Sequence, residues 1–137
     1  MPLRRAVEAV LLDVGGTLIE CQPAPPEVYA RVLSRHGPEV KAVDVTPVYR
    51  QTWSELTQLH PTGCDRYNLL KGGELEWWGE FLRRVLAALQ HPAPWEPVLS
   101  ELFAAFSEPS LWRVFPEVPG VLASLHSRGL KVAAVSN

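Results

Sequence analysis

The sequence predicts an α/β protein: a parallel sheet layer whose first crossover carries a separate all-α insert. Three observations carry that prediction. A short aliphatic run, "AVEAVLLDV" (6–14), stands near the start and is closed by glycines. A second run, "LKVAAVSN" (130–137), follows a helical pattern and a glycine. Between them, residues 26–107 repeat apolar side chains at helical spacing in four segments. The expected layout is therefore an α/β core from residues 1–20 and 108–137, and a helical domain from 21–107.

The first run is aliphatic without alternation, as in a parallel strand covered on both faces. "CQPAPP" (21–26) is expected to continue neither helix nor sheet, because proline lacks the N–H and fixes φ. A helix over 26–36 would present Val28, Tyr29, Val32, Leu33 and His36 on one face, with Gly37 as its stop. Thr46 and Pro47 read as N-cap and first position of a helix running to about Leu59, presenting Tyr49, Trp53 and Leu56. In "GELEWWGEFLRRVLAALQH" (73–91), Leu75, Trp78, Leu82, Val85 and Leu89 form one stripe, widened by Trp77 and Phe81. "PWEPVLSELFAAFS" (94–107) turns Val98, Leu99, Leu102, Phe103 and Phe106 inward. These segments make a bundle with the tryptophans in its core rather than on a ligand platform. "PEVPGVLASLHSRG" (116–129) is a short helix ended by Gly129, with Leu122 and Leu125 facing in, and the second strand follows.

Composition narrows the function classes. Of 137 residues, 47% are apolar and 20% charged, and the net charge of -2 offers no electrostatic footprint for nucleic acid or an anionic membrane. Glu8 and Asp13 interrupt the apolar stretch that follows Arg4 and Arg5, so a secretory leader is not expected and a cytoplasmic location is. Cys21 and Cys64 lack metal-ligand spacing and are expected as reduced thiols. His36, His60, His91 and His126 show no ligand spacing either, and no role falls to them.

The chemistry sits in "AVLLDVGGTLIE" (9–20), where Asp13 ends the first strand. Ligands of open α/β sheets bind beyond the carboxyl ends of the strands. Gly15 and Gly16 let backbone amides approach an anion, which makes Gly16 a candidate phosphate contact. Taken alone, this stretch fits a nucleophile loop about as well as the phosphate-cradling turn of sugar kinases and actin-like proteins. It also fits an ordinary aspartate turn. The kinase-like arrangement would return through a hairpin into further strands, and "CQPAPPEVYARVL" is expected to prevent that.

The tail separates the readings further. "FPEVPGVLASLHSRGLKVAAVSN" resembles the second motif of the haloacid-dehalogenase-like (HAD) hydrolases: a proline-led helix, a glycine, and an apolar strand ending in Ser-Asn. "VLLDVGGTL" resembles their first motif, and the family's helical cap lies between the two, so the likeness covers the whole chain. It implies a Rossmann-like HAD core with an inserted all-α cap. It also implies that Asp13 attacks the substrate and forms an aspartyl intermediate. Ser136 would bind a phosphoryl oxygen through its hydroxyl and Asn137 through its amide. Mg²⁺ would be held by the Asp13 carboxylate and the Gly15 carbonyl, hard oxygen donors suited to that ion. Thr17 would brace the turn. The implied partner is a small phosphorylated metabolite, with no nucleic acid and no membrane.

Two departures qualify the likeness. Phosphatases of this family carry a second, acid–base aspartate two residues after the nucleophile, and here Gly15 stands in that place. Such help contributes roughly 10²–10⁴-fold to the rate. Members acting on carbon–halogen or carbon–phosphorus bonds also lack it, although dehalogenases usually show an aromatic residue there. The family's later lysine and acidic metal motifs have no counterpart by sequence order. These residues are therefore expected to be the N-terminal part of a longer protein, with the rest of the HAD core following Asn137. A Mg²⁺-dependent phosphatase leads, with dehalogenase- or phosphonatase-like chemistry and a non-catalytic interaction protein as alternatives. In the loop "HPTGCDRYNLLKGG" (60–73), Arg66 and Lys71 are candidate specificity contacts, beside the plainer reading of a solvated loop.

Overall fold

The computed structural model describes residues 7–60 and 63–136. The chain divides into two compact units, Met1–Gln22 with Pro109–Asn137, and Pro23–Glu108.

In the first unit, strand β1 (Ala9–Asp13) pairs in parallel with the strand that comes last in the chain, Lys131–Val135. Asp13 stands opposite Val135 in that register. A second, antiparallel ribbon is formed by β2 (Ile19–Cys21) and β3 (Trp112–Val114). The expectation that the chain around "CQPAPP" takes no strand is corrected here. The strand ends at Cys21, just ahead of the prolines, and its partner is not a hairpin neighbour but a segment some ninety residues on. The Gln22 amide donates to the Leu111 carbonyl and the Phe115 amide to the Leu18 carbonyl, closing the ribbon at both ends. Glu20 and Arg113 face each other across it as an ion pair. Helix α5 (Val118–Ser127) follows with Pro119 in its first turn and Gly129 beyond its end at φ +74°. It packs on the last strand, β4 (Lys131–Val135).

The second unit holds four α-helices: α1 (Pro25–Leu33), α2 (Ala42–Gln58), α3 (Gly73–Leu89) and α4 (Trp95–Ser107). Proline-rich sequence opens α1 rather than delaying it. Pro25 and Pro26 occupy the first turn, where their missing N–H groups would have no helical partner anyway. The Glu27 side chain accepts from the Ala24 amide at 3.3 Å. The helix ends at Leu33, not at Gly37; Gly37 is needed because the His91 ring approaches it, and a Cβ there would meet His91 Cε1 at 2.7 Å. His36 lies past the helix and bonds Glu101 of α4 at 2.7 Å.

α2 begins four residues ahead of Thr46. Pro47 is inside the helix, and Thr46 is no N-cap: its Oγ1 donates back to the Ala42 carbonyl at 2.7 Å. The buried side of α3 is also turned from the expected stripe. Trp77, Phe81, Leu82, Val85 and Leu86 are buried, whereas Leu75 is 61% exposed. The Trp77 and Phe81 rings stack at 5.8 Å, and Tyr29, Tyr49 and Trp53 surround Phe81. Aromatic packing of this kind, more than leucine periodicity, selects the face. Among the described residues, no helix is long and apolar enough to cross a membrane. Neither Cys21 nor Cys64 forms a disulfide.

Candidate functional site

β1 delivers Asp13 to its carboxyl end as an exposed side chain, and the chain then turns sharply. The Val14 carbonyl accepts the amides of Thr17, Leu18 and Ile19 at 3.2, 2.8 and 3.1 Å. Gly16 makes that possible at φ +78°, a conformation that glycine takes without strain. Its own amide donates to the Ile19 carbonyl at 2.7 Å and is thereby engaged within the turn. Thr17 Oγ1 donates to Asp13 Oδ2 at 3.0 Å. Among the described residues Oδ1 accepts no hydrogen bond. One carboxylate oxygen is thus oriented and the other is open.

Ser136 directly follows Val135, the register partner of Asp13, on the neighbouring parallel strand. Adjacent strands run about 4.8 Å apart, so the backbone brings residues 13 and 136 to the same edge of the sheet. Asn137 lies outside the described residues. Leu11, Leu12, Asp13 and Val135 line a depression of about 320 Å³. Position 15 is open as well: a Cβ built on Gly15 meets nothing within 4 Å. Its carbonyl receives no backbone amide among the described residues. Asp13 and that carbonyl therefore supply two uncommitted oxygen donors. No cluster of three or more histidine, cysteine or acidic side chains is present among the described residues. Arg66 sits in the helical unit among aromatic rings, a placement the sequence spacing does not reveal.

A carboxylate at the tip of a parallel strand, a glycine turn beyond it and a long helical insert define an α/β protein with a ligand site at the strand's carboxyl end. The chain belongs to the haloacid dehalogenase-like hydrolase family, whose model matches residues 7–137. It is similar to haloacid dehalogenase-like hydrolase domain-containing protein 3 of Mus musculus, with 29% identity over 140 residues, all of this chain and 54% of the relative. The protein of the same description from Homo sapiens is 27% identical over the same shares. The chain spans about half the length of the curated relatives it matches. Among solved structures, an L-2-haloacid dehalogenase shares the fold at a TM-score of 0.61 and 22% identity, over 97% of this chain and 54% of that one. A second dehalogenase matches at 0.53 and 20% identity, over 98% and 53%.

Proposed function

We propose that the protein containing this chain is a Mg²⁺-dependent phosphatase for a small phosphorylated metabolite, with Asp13 as nucleophile. The supporting observation is the Asp13 carboxylate, held at one oxygen by Thr17 and open at the other, at the sheet edge where Ser136 emerges. The open oxygen bonds to phosphorus as the bond from phosphorus to the leaving oxygen breaks. The electron pair departs with that oxygen, which takes its proton from water because Gly15 carries no acid. Water then cleaves the aspartyl phosphate, releasing inorganic phosphate and restoring the carboxylate. The Ser136 hydroxyl donates to a non-bridging phosphoryl oxygen, and Asn137 is assigned to the same anion. Gly16 serves it by opening the turn.

The donor set at Asp13 and the Gly15 carbonyl fits Mg²⁺, a hard ion that takes oxygen ligands and retains water. When bound, the ion reduces the repulsion between carboxylate and phosphate. The test is hydrolysis of p-nitrophenyl phosphate with Mg²⁺ by the purified protein. Asp13→Asn is expected to lose activity by on the order of 10³-fold or more. Equal rates for the two proteins would remove the covalent mechanism.

Gly15 favours a second reading, because carbon–halogen and carbon–phosphorus cleavage need no acid at that position, and the solved structures above are dehalogenases. Halide release from a 2-haloacid, with no phosphate release from esters, would establish it in place of the first.

A further inference from the structure

We propose that Arg66 forms an oxyanion-binding site in the helical unit, taking the carboxylate or phosphate of a small ligand. This does not rest on the role given to Asp13. Arg66 opens a 3₁₀ turn, Arg66–Leu69, between α2 and α3. Asp65 shapes the turn: its Oδ1 accepts from the Tyr67 amide at 2.9 Å and its Oδ2 from Asn68 Nδ2 at 2.7 Å. Both oxygens of the neighbouring carboxylate are thereby engaged by other donors. The guanidinium carbon lies 5.1 Å from the ring centre of Trp53, 5.5 Å from Trp77 and 5.7 Å from Tyr67. His60 Nε2 accepts from Trp77 Nε1 at 3.1 Å, which fixes that ring beside the arginine. Arg66 Nη1 is buried, with no hydrogen-bond partner among the described residues.

Arg83 supplies the internal control. It too lies over an aromatic ring, 4.7 Å from the centre of Trp95. There the stacked guanidinium is completed by carboxylates, with Nη2 donating to Glu76 at 2.7 Å and to Glu80 at 3.2 Å. Arg66 has the stacking without the carboxylate. The stacking orients the guanidinium but supplies no acceptor, and the rigid fork matches two oxygens of one anion. Nη1 itself has no solvent access, whereas Arg66 as a whole is half-buried, so a small ligand meets the Nε–Nη2 edge of the guanidinium.

The nearby tryptophans provide the readout. The purified protein is titrated with inorganic phosphate and, separately, with acetate, each against chloride at matched ionic strength, while tryptophan emission is followed. A saturable change with phosphate alone assigns a phosphoryl ligand, and with acetate alone a carboxylate. Arg66→Gln is expected to abolish the change, and Arg66→Lys to weaken binding roughly tenfold, since an ammonium lacks the fork. The change persists in Asp13→Asn, whose hydrolysis is lost, so the two sites fail separately. No saturable change in the wild type with either anion overturns the site, whatever the variants do. An unaltered change in a folded Arg66→Gln, checked by circular dichroism, overturns it too.

Discussion

The helical unit and the α/β unit are built on opposite terms. Every buried apolar side chain among the described residues belongs to Pro23–Glu108, except Leu111 and Val118. In the α/β unit every residue of β4 is exposed, and Leu11 of β1 is 70% exposed. A helix of the bundle packs its stripe against two others within the same unit; a pair of parallel strands has two faces and, here, one short helix to cover them. Buried apolar surface is therefore concentrated in the helices, while the Asp13 carboxylate stands where little side-chain packing is present. Substitutions in one unit should register in unfolding, and in the other in turnover.

The largest expected effect tests the first half of that contrast. Phe81 is fully buried at the centre of the aromatic cluster, and Phe81→Ala should destabilise by about 3–5 kcal/mol, read from denaturant unfolding. A loss below about 1 kcal/mol would mean that the helices are not packed as described. Next comes Gly15→Asp. The site has space for a side chain, so the variant should fold as the wild type does and hydrolyse an alkyl phosphate on the order of 10²-fold faster, about 3 kcal/mol off the barrier. An unchanged rate for alkyl phosphates beside intact folding would count against the acid-deficient phosphatase reading.

A smaller effect is expected at Glu101, where α4 meets the segment after α1. Its hydrogen bonds to His36 and Arg35 hold the carboxyl below its ordinary range. Folding therefore favours the ionised form. That contribution is complete above the unfolded carboxylate pKa of about 4.3 and is lost as pH falls through the depressed folded value. Because Arg35 is largely exposed, Glu101→Gln should cost no more than about 1 kcal/mol at neutral pH, and the difference from wild type should shrink on acidification. A difference that grows in acid would reverse the sign assigned here. Smallest of all is Leu11→Ala, expected within about 0.5 kcal/mol of wild type because its side chain is mostly in solvent. A large loss there would show that the strand face is covered in the protein.

Much of this was legible along the chain, and particular residues show where legibility ended. Asp13 at a strand tip and Gly129 after a helix follow from local rules, and both stand where those rules put them. Pro47 misled, because a proline so near a helix start looks like its first residue when the preceding turn has no strong cap; Lys41 holds that place. Leu75 misled for a different reason. Periodicity reports that a face exists, but Trp77 and Phe81, with more surface to bury, rotate it. Neither Glu20 with Arg113 nor the stacking on Arg66 could be read, since each joins residues that no spacing rule connects.

From its sequence alone the chain set the order of β1, the five α-helices and β4, the family it belongs to and the carboxylate at the end of the first strand. Those properties depend on neighbours a few residues away, through backbone preference and side-chain spacing. Tertiary structure alone decided which helix face is buried, that β2 pairs with β3, which oxygen of Asp13 Thr17 holds, and that Arg66 is stacked without an acceptor. Those outcomes depend on which distant groups compete for the same space and the same hydrogen bonds, and that competition is settled only when the chain closes on itself.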